Sequence, residues 1–354
     1  MIHFDKARGV MKIFLRVAMM VLCGWVLANQ AFATKITGAG ATFPYPLYAK
    51  WAATYKTQTG NEMNYQSIGS GGGVKQIQAK TVDFGASDKP LSPAELTKSG
   101  LVQFPTVVGG AVPIVNIPGI GAGQLKLTGA VLADIFMGRI KNWRDPAIIK
   151  LNKGLRLPNL AITVVHRADS SGTSFLFTHY LSKVSPIWRS KVGANDAVKW
   201  PVGLSGKGSE GVSSFVTRAK GAIGYVEYAY AKQNQIAHVS LKNAAGYFVQ
   251  PNIASFRAAA AGAKWSQSNH FYVILTNQMG KNSWPISGAT FILMHKKQAD
   301  RTKGVEVLRF FDWSYGHGDK MAMQLDYVPI PNATKNVIRL SWKKMTDHTG
   351  KSIR

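Results

Sequence analysis

The chain has 354 residues, of which 46% are hydrophobic and 17% are charged, and its formal net charge is +26. This composition excludes a disordered polyelectrolyte, and the length exceeds the size at which one hydrophobic core usually stops growing, so we expect two domains. The positive charge is compatible with nucleic-acid binding, with binding to an anionic surface and with attraction of an anionic ligand, or simply with a host whose exported proteins are basic.

The first 33 residues have the pattern of a secretory signal peptide. Four basic residues precede or flank an apolar stretch over residues 17–27, and Ala31-Phe32-Ala33 predicts cleavage after Ala33. Met11 is an alternative start, and an uncleaved anchor is the alternative to cleavage, although the stretch is short for a membrane span. Cys23, the single cysteine, lies inside this signal, so the mature chain would have no disulfide. Its formal charge would be +23, because the signal carries four basic and one acidic side chain.

The mature chain begins with a short strand and a glycine-rich turn over residues 38–43. Residues at helical spacing predict a first helix: Tyr48, Trp51, Ala52 and Tyr55. Thr42 is the expected N-cap, Pro44 suits the first turn and Gly60 suits the end. The next predicted elements are a strand over 63–66, a second helix opened by the loop 69–73, and a strand over 82–86 that leads to Asp88. They complete a strand–helix–strand rhythm. This rhythm predicts a parallel α/β sheet, whose ligand loops gather at the carboxyl ends of the strands.

An apolar run over residues 107–120 is broken by glycine and proline, and we interpret it as a buried strand that crosses into a second domain. There, a β-rich run over 162–165 enters a loop at 167–174, and a helix follows that ends before Pro186. A buried strand is predicted over 222–226, and the run 289–293 is a candidate return crossing. Two crossings predict two lobes joined by a hinge, with the ligand between them.

Three of these loops place glycine and hydroxyl residues at a helix start, where unpaired N–H groups and partial positive charge favour anions. Arg167 adds a planar fork of donors that matches an oxyanion. The alternatives are a surface arginine or one that only pairs with Asp169, and the local pattern favours the anion role. Asp169 could both orient Arg167 and cap the following helix. Ser171, Gly172 and Thr173 could bind the anion or only cap that helix, and Thr42 and Ser70 carry the same ambiguity.

Asp88 is an unusual residue for an anion site, because a carboxylate repels an anion. It becomes useful if the anion carries a proton, since phosphate near neutral pH keeps a P–OH that can donate, whereas sulfate is fully ionised. The alternative is that Asp88 only caps the turn Asp88-Lys89-Pro90, and local sequence favours this simpler interpretation.

Enzyme classes with recognisable signatures are not indicated. Residues 205–208 resemble a Walker A loop but lack its spacing, no Gly-x-Ser-x-Gly elbow occurs, and no His-x-x-x-His pair suggests a metal site. His166 is expected to point away from Arg167, because neighbours on a strand face opposite sides. We therefore expect no catalytic residue, no metal and no cofactor. Basic pairs at 296–297 and 343–344 lack a nucleic-acid-binding signature, so no nucleic-acid partner is expected.

Several longer segments of the sequence resemble those of one family. These segments are residues 37–44, 74–77, 82–88, 167–169, 171–175, 221–228 and 310–313. Over essentially all of 34–354 the chain resembles the periplasmic phosphate-binding component of high-affinity bacterial phosphate importers of the ABC class, the PstS family. The resemblance implies an α/β fold, a two-lobed type II periplasmic binding protein (a Venus flytrap) with two hinge crossings. Lobe I would comprise 34–114 and 286–354, and lobe II 115–285.

The resemblance also implies a function: capture of inorganic phosphate in the periplasm and its delivery to a membrane permease with a separate ATPase, by a monomer that is not an enzyme. The implied phosphate contacts are Thr42, Phe43, Ser70, Asp88, Arg167, Ser171, Gly172 and Thr173, with Asp169 holding Arg167. The chain departs from the family pattern at Gly71, where serine is frequent, and at Ser170, where glycine is frequent. Neither departure removes an implied contact, but both could shift affinity.

Overall fold

The computed structural model describes residues 33–354, and strands and helices alternate along most of this range. The strands are β1 Lys35–Gly40, β2 Glu62–Ser67, β3 Phe84–Ser87, β4 Leu101–Val115, β5 Lys126–Leu127, β6 Thr163–Arg167, β7 Leu204–Gly206, β8 Ala222–Glu227, β9 Ala237–His238, β10 Ser240–Lys242, β11 Phe248–Val249, β12 Ser287–His295, β13 Lys297–Gln298, β14 Val328–Pro329 and β15 Thr346–Asp347. The helices are α1 Tyr45–Thr59, α2 Ser70–Gln78, α3 Pro93–Ser99, α4 Gly129–Phe136, α5 Pro146–Leu151, α6 Gly172–Val184, α7 Pro186–Lys191, α8 Gly208–Arg218, α9 Tyr228–Gln233, α10 Ile253–Ala260, α11 Arg301–His317, α12 Asp319–Gln324 and α13 Asn332–Trp342. The predicted signal peptide lies outside these residues except for Ala33.

The main sheet is mixed and has the strand order β2-β1-β3-β12-β4-β8-β6-β7, with β14 and β9 also paired to β4. At one end β1 lies parallel to β2 and β3, and at the other end β6 lies parallel to β7 and β8. The strands between these groups alternate in direction, because β12 is antiparallel to β3 and β4, and β4 is antiparallel to β8. The two parallel groups therefore run in opposite directions. The parallel arrangement predicted for the first three strands is therefore confirmed.

The first predicted helix is confirmed as α1. It buries Tyr48, Trp51 and Tyr55 on one face, and Gly60 ends it in the left-handed conformation at φ 76°. The expected N-cap is wrong, because Pro44 occupies that position and no side chain caps this helix. The Thr42 hydroxyl is engaged elsewhere, in contacts across the candidate site described below.

Strand β4 connects the two parallel groups of the sheet. Nine of its first ten residues pair with β12 and its last five pair with β8, and all but Val102 are buried. The predicted buried run over 107–120 is thus confirmed as strand to Val115, but the strand begins earlier, at Leu101. It ends because Pro118 and Gly119, the latter at φ 79°, turn the chain.

Pro105 interrupts the ladder between β4 and β12. Because proline has no N–H to donate, the register shifts at this point, between Thr290 and Phe291 on the partner strand. The hydroxyl of Thr106, the residue skipped by the shift, donates to the carbonyl oxygen of Thr290 at 3.2 Å. This irregularity lies beside the candidate site, where Thr290 contacts Asp88.

No helix within residues 33–354 has the length and apolar character needed to span a membrane.

Candidate functional site

The structure brings together residues that follow the carboxyl ends of several strands. Thr42 and Phe43 follow β1, Ser70 begins α2 after β2, and Asp88 follows β3. Arg167 ends β6, and residues 171–173 begin α6. Strands β1, β2 and β3 are parallel to one another, as are β6 and β8. The carboxyl ends of the strands within each set therefore lie side by side, where ligand loops gather.

Hydrogen bonds join the two sets of loops directly. The Gly172 amide donates to Ser70 Oγ at 3.0 Å, and Arg167 Nη1 donates to Thr42 Oγ1 at 3.2 Å. The Asp88 amide donates to the same Ser70 oxygen at 3.3 Å. All five side chains of Thr42, Ser70, Asp88, Arg167 and Thr173 belong to residues no more than 3% exposed, so the predicted residues form one buried polar cluster.

Arg167 is held by Asp169 and retains donors for another partner. Its Nε donates to Asp169 Oδ1 at 2.8 Å, and Nη2 donates to Oδ2 of the same carboxylate. A guanidinium has five N–H groups, and three of them bond to Asp169 and Thr42. One N–H on Nη1 and one on Nη2 therefore have no partner among residues 33–354. Two such donors side by side suit bidentate recognition of an oxyanion.

Asp169 has one of the two roles that the sequence suggested. It orients Arg167, which also lowers the carboxyl pKa of Asp169 despite the opposing effect of burial. It does not cap α6, because Ser171 is the N-cap of that helix and accepts from the Ser174 amide at 3.2 Å. Asp169 instead accepts from the amide of Gly208, the first residue of α8, at 3.0 Å. This bond ties a fourth glycine-rich helix start to the site.

Asp88 presents one satisfied and one unsatisfied oxygen. Oδ1 accepts from the Thr290 hydroxyl at 2.7 Å, while Oδ2 is buried without a hydrogen-bond partner in the described chain. Burial raises the pKa of the Asp88 carboxyl from 3.8 to about 7, although Thr290, the charge of Arg167 and nearby hydroxyls oppose this. The turn-capping interpretation is wrong, because the Ser87 hydroxyl contacts the Lys89 backbone.

The start of α6 closes tightly against Ser70 and Asp88. A Cβ on Gly172 would lie 2.5 Å from Ser70 Oγ and 2.7 Å from the Asp88 amide nitrogen, so only glycine fits there. The Thr173 hydroxyl is buried and, like Asp88 Oδ2, has no hydrogen-bond partner within residues 33–354. Buried polar atoms are normally satisfied. Thr173 is also among the hydroxyls that lower the pKa of Asp88, so these two groups face the same buried space. Ser171 does cap its helix, as the simpler interpretation held.

Several supporting residues were missed from sequence. Ser209 Oγ lies 2.8 Å from Thr42 Oγ1, and the hydroxyl of Tyr230 donates to the Thr42 carbonyl oxygen at 2.7 Å. Tyr327 donates to the carbonyl oxygen of Phe43 at 2.7 Å, while the Phe43 ring is buried in the core. The sequence Gly206-Lys207-Gly208-Ser209 was a usable signal, since it is another glycine-rich helix start. As expected, His166 faces away, with its ring stacked on Trp200 at 4.8 Å.

Glu227, the last residue of β8, supports the Phe43 segment through Tyr327. Its Oε2 accepts from the Ala229 amide at 2.7 Å and lies 2.9 Å from the Tyr327 hydroxyl. Because Tyr327 has one hydrogen and uses it on Phe43, a protonated Glu227 can donate to Tyr327 and complete the chain. Burial raises the pKa of this carboxyl well above its ordinary value of 4.5, consistent with a neutral group.

The stability of Glu227→Gln relative to wild type is therefore expected to rise with pH. Native Glu227 holds its proton, whereas the unfolded chain releases it above about pH 4.5, so wild-type stability falls relative to the variant by about 1.4 kcal/mol per pH unit. Denaturant unfolding of both proteins between pH 5 and 7 measures this difference. Glu62→Gln, at a partly exposed carboxylate paired with Lys56, should lack this rising difference. Parallel curves for wild type and Glu227→Gln would show that the carboxyl is ionised in the native state.

Within residues 33–354, no group of three or more histidine, cysteine or acidic side chains could hold a metal ion.

Comparison with known proteins identifies the family. The family model described as "PBP superfamily domain" matches residues 28–316. "Phosphate-binding protein PstS" of Pasteurella multocida is 56% identical over 93% of this chain and 95% of its own length, and the protein of that name from Haemophilus influenzae is 56% identical over 88% and 94%.

The fold also matches solved structures. The phosphate-binding protein from Stenotrophomonas maltophilia matches with a TM-score of 0.67 at 22% identity, over 87% of this chain and 94% of that one. This likeness shows the α/β fold of two-lobed periplasmic binding proteins. Together with the extent and identity of the sequence matches, it leads to one conclusion: the chain belongs to the PstS family of periplasmic binding proteins.

Proposed function

We propose that the chain captures inorganic phosphate between two lobes and delivers it to the membrane permease of an ABC-type importer. Family membership supports this proposal, since the relatives compared above are named phosphate-binding proteins. The observation that carries it is that one buried cluster holds both two Arg167 donors and an Asp88 Oδ2 that have no hydrogen-bond partner within residues 33–354. An oxyanion that both accepts and donates matches these groups, and phosphate is such an anion.

Each lobe supplies half of the proposed phosphate contacts. Lobe I, residues 34–114 and 286–354, carries Thr42, Phe43, Ser70 and Asp88. Lobe II, residues 115–285, carries Arg167, Ser171, Gly172 and Thr173. The hinge crossings are proposed within β4, near residues 114–115, and just before β12, near 285–286. Phosphate favours the closed arrangement because it contacts both sets only when they meet.

The route of phosphate follows from this arrangement. Export with cleavage after Ala33 would place a monomer in the periplasm, where the closed form meets the permease. A separate ATPase subunit drives release, so this chain needs no cofactor or metal of its own. The charge of +23 attracts the phosphate anion over distance, and no nucleic-acid partner is proposed.

A carrier fits the site better than a phosphatase. Ser70 Oγ accepts from two backbone amides, and Ser171 Oγ accepts from the Ser174 amide, so both hydroxyl oxygens are engaged by backbone rather than by a side-chain base. The His166 ring is stacked on Trp200 and turned away. Release of phosphate from a monoester at a rate that scales with the concentration of the protein would reverse this conclusion.

Titration calorimetry on residues 34–354 tests the function. The protein is unfolded, dialysed and refolded to remove ligand carried through purification, and then titrated with inorganic phosphate and with sulfate in a buffer free of both. One-to-one phosphate binding at about micromolar Kd or tighter, near −8 kcal/mol, with no response to sulfate is expected. Absence of phosphate binding by correctly refolded protein would overturn the proposal.

Sulfate rejection should weaken as the pH falls. With a pKa of about 7, Asp88 is mostly ionised at pH 8.5 and repels sulfate, whereas at pH 6 it is mostly protonated and can donate to a sulfate oxygen. The protonated fraction rises about 30-fold over this range, and the apparent sulfate affinity should rise with it. Competition of sulfate against labelled phosphate across this range measures the trend. A sulfate affinity that is flat with pH would show that Asp88 does not control rejection.

A further inference from the structure

A second polar cluster lies beside the site and uses residues adjacent to the proposed phosphate contacts. Lys89 Nζ donates to Asp196 Oδ1 and to Asn195 Oδ1, each at 2.8 Å. The Ser170 hydroxyl donates to the other Asp196 oxygen, Oδ2. We refer to Lys89, Ser170, Asn195 and Asp196 as the latch. Lys89 directly follows Asp88, and Ser170 directly precedes Ser171, so the latch joins the segments that carry opposite halves of the cluster.

Backbone hydrogen bonds fix the latch to both segments. The Ser171 amide donates to the Asp196 carbonyl oxygen at 2.8 Å, which anchors the Asp196 segment to the start of α6. The Gly71 amide donates to the Ser170 carbonyl oxygen at 3.0 Å, which joins the start of α2 to the same place. Residues next to Ser70, Asp88 and Ser171 therefore all take part in one connected network.

Steric fit adds a second link between Gly71 and Ser170. A Cβ on Gly71 would overlap both Oγ and Cβ of Ser170, so the hydroxymethyl group of Ser170 occupies the space that a side chain at residue 71 would need. Only one of the two positions can carry a side chain while the segments stay this close. In this chain Ser170 carries it, and its hydroxyl contacts Asp196.

The latch lies at the boundary between the site and solvent. A surface groove of about 710 Å³ is lined by Ser70, Lys89, Ser170 and Asp196 among others, whereas Asp88, only 1% exposed, does not line it. The side chains of Lys89 and Asp196 are 32% and 22% exposed, so water only partly screens their ion pair. Hydrogen bonds from Lys89 and Ser170 lower the pKa of the Asp196 carboxyl, although burial opposes this, so it is ionised at neutral pH.

We infer that Lys89, Ser170 and Asp196 are positioning residues for phosphate capture, which hold the Ser70 and Asp88 segments against the start of α6 and so slow phosphate release. The inference rests on the proposed function, since it assigns a role to residues beside the proposed contacts. These residues do not touch the anion in this scheme. They act on its residence time, because the loops must part before phosphate leaves.

The first test separates release from capture. Lys89→Met, Asp196→Asn and the double variant are loaded with radiolabelled inorganic phosphate and chased with excess unlabelled phosphate, while equilibrium dialysis gives Kd. Each single variant should release phosphate about 3- to 10-fold faster, with an association rate, calculated from the release rate and Kd, within twofold of wild type. The double variant should release phosphate more slowly than the product of the two single effects would give, because both substitutions remove the same Lys89–Asp196 bond.

Lys75→Met is the matched control for loss of positive charge. Lys75 is exposed on the wall of the same groove and has no ion pair in the part of the chain that the structure describes. Its release rate should equal that of wild type. Unchanged release in both single latch variants would overturn the inference, as would an equal acceleration in the Lys75 variant. Failure of the wild-type protein to bind phosphate would instead refute the proposed function.

The second test exchanges the two side chains. Gly71→Ser should weaken phosphate binding at least about 10-fold, because the added group meets Ser170. The exchange variant, Gly71→Ser with Ser170→Gly, should recover most of that loss, since it relieves the overlap and places a hydroxyl in the same space. Thermal unfolding without phosphate distinguishes a folding defect, and all variants should melt close to wild type. An exchange variant no better than Gly71→Ser alone would show that the two positions do not share this space.

Discussion

Arg167→Ala is expected to reduce phosphate affinity at least about 100-fold, which corresponds to about 2.7 kcal/mol. The substitution removes the two N–H groups that remain after Arg167 has bound Asp169 and Thr42, and hydrogen bonds to charged groups contribute about 1.5–3 kcal/mol each. It also leaves the Asp169 carboxylate without its cation, beside the anion. Titration calorimetry with inorganic phosphate measures the loss.

Arg144→Ala provides the matched control for this prediction. Arg144 is exposed, and its removal lowers the net charge by the same amount. The phosphate affinity of Arg144→Ala should therefore stay within about twofold of wild type. Arg167→Lys should fall between wild type and Arg167→Ala, because one ammonium group cannot bind both Asp169 oxygens and still present two donors. Near wild-type affinity in folded Arg167→Ala would remove Arg167 from the site.

Asp88→Asn is expected to convert a phosphate-selective site into one that also accepts sulfate. The amide oxygen can keep the bond from Thr290, which places the NH₂ group where the unpartnered Oδ2 now lies. Two donors would then face the anion in place of a like charge, so sulfate affinity should rise about 10- to 100-fold, or about 1.4–2.7 kcal/mol. Phosphate affinity should change less, because phosphate loses an acceptor but gains a donor.

Competition between sulfate and labelled phosphate at pH 8.5 measures this change in selectivity. Asp134→Asn serves as the control for loss of one negative charge, since Asp134 pairs with Arg139 at the surface. That variant should reject sulfate as strongly as wild type. If Asp88→Asn also rejects sulfate, selectivity depends on the size or donor arrangement of the site and not on the carboxylate.

The local parts of the site were predictable because their signals are short runs of sequence. Glycine and serine at a helix start identify Ser70 and the 171–173 segment, and the strand before Arg167 places it at the sheet edge. The predicted lobe boundaries and the phosphate contacts remain predictions. Asp88 was ambiguous from its neighbours alone, and the structure resolves that ambiguity by showing which hydroxyl contacts the Lys89 backbone.

The pairings made by the supporting residues were not predictable, because the two members of each pair are distant in the sequence. Ser209 lies 167 residues from Thr42, Tyr327 lies 284 residues from Phe43, and Thr290 lies 202 residues from Asp88. Nothing in a local pattern indicates such pairs. The Thr42 cap was wrong for the same reason, since that hydroxyl bonds to Ser209 and Arg167, both from distant segments.

The path of β4 has a consequence for how the molecule unfolds. Its 15 residues form ladder bonds with β12 over one stretch and with β8 over the next, without a break between Gly110 and Ala111. Unfolding of β12 or of β8 would leave part of this shared central strand unpaired. Residues 35–354 should therefore melt cooperatively in a single transition, with equal calorimetric and van't Hoff enthalpies, even though one of the two proposed hinge crossings lies within this strand.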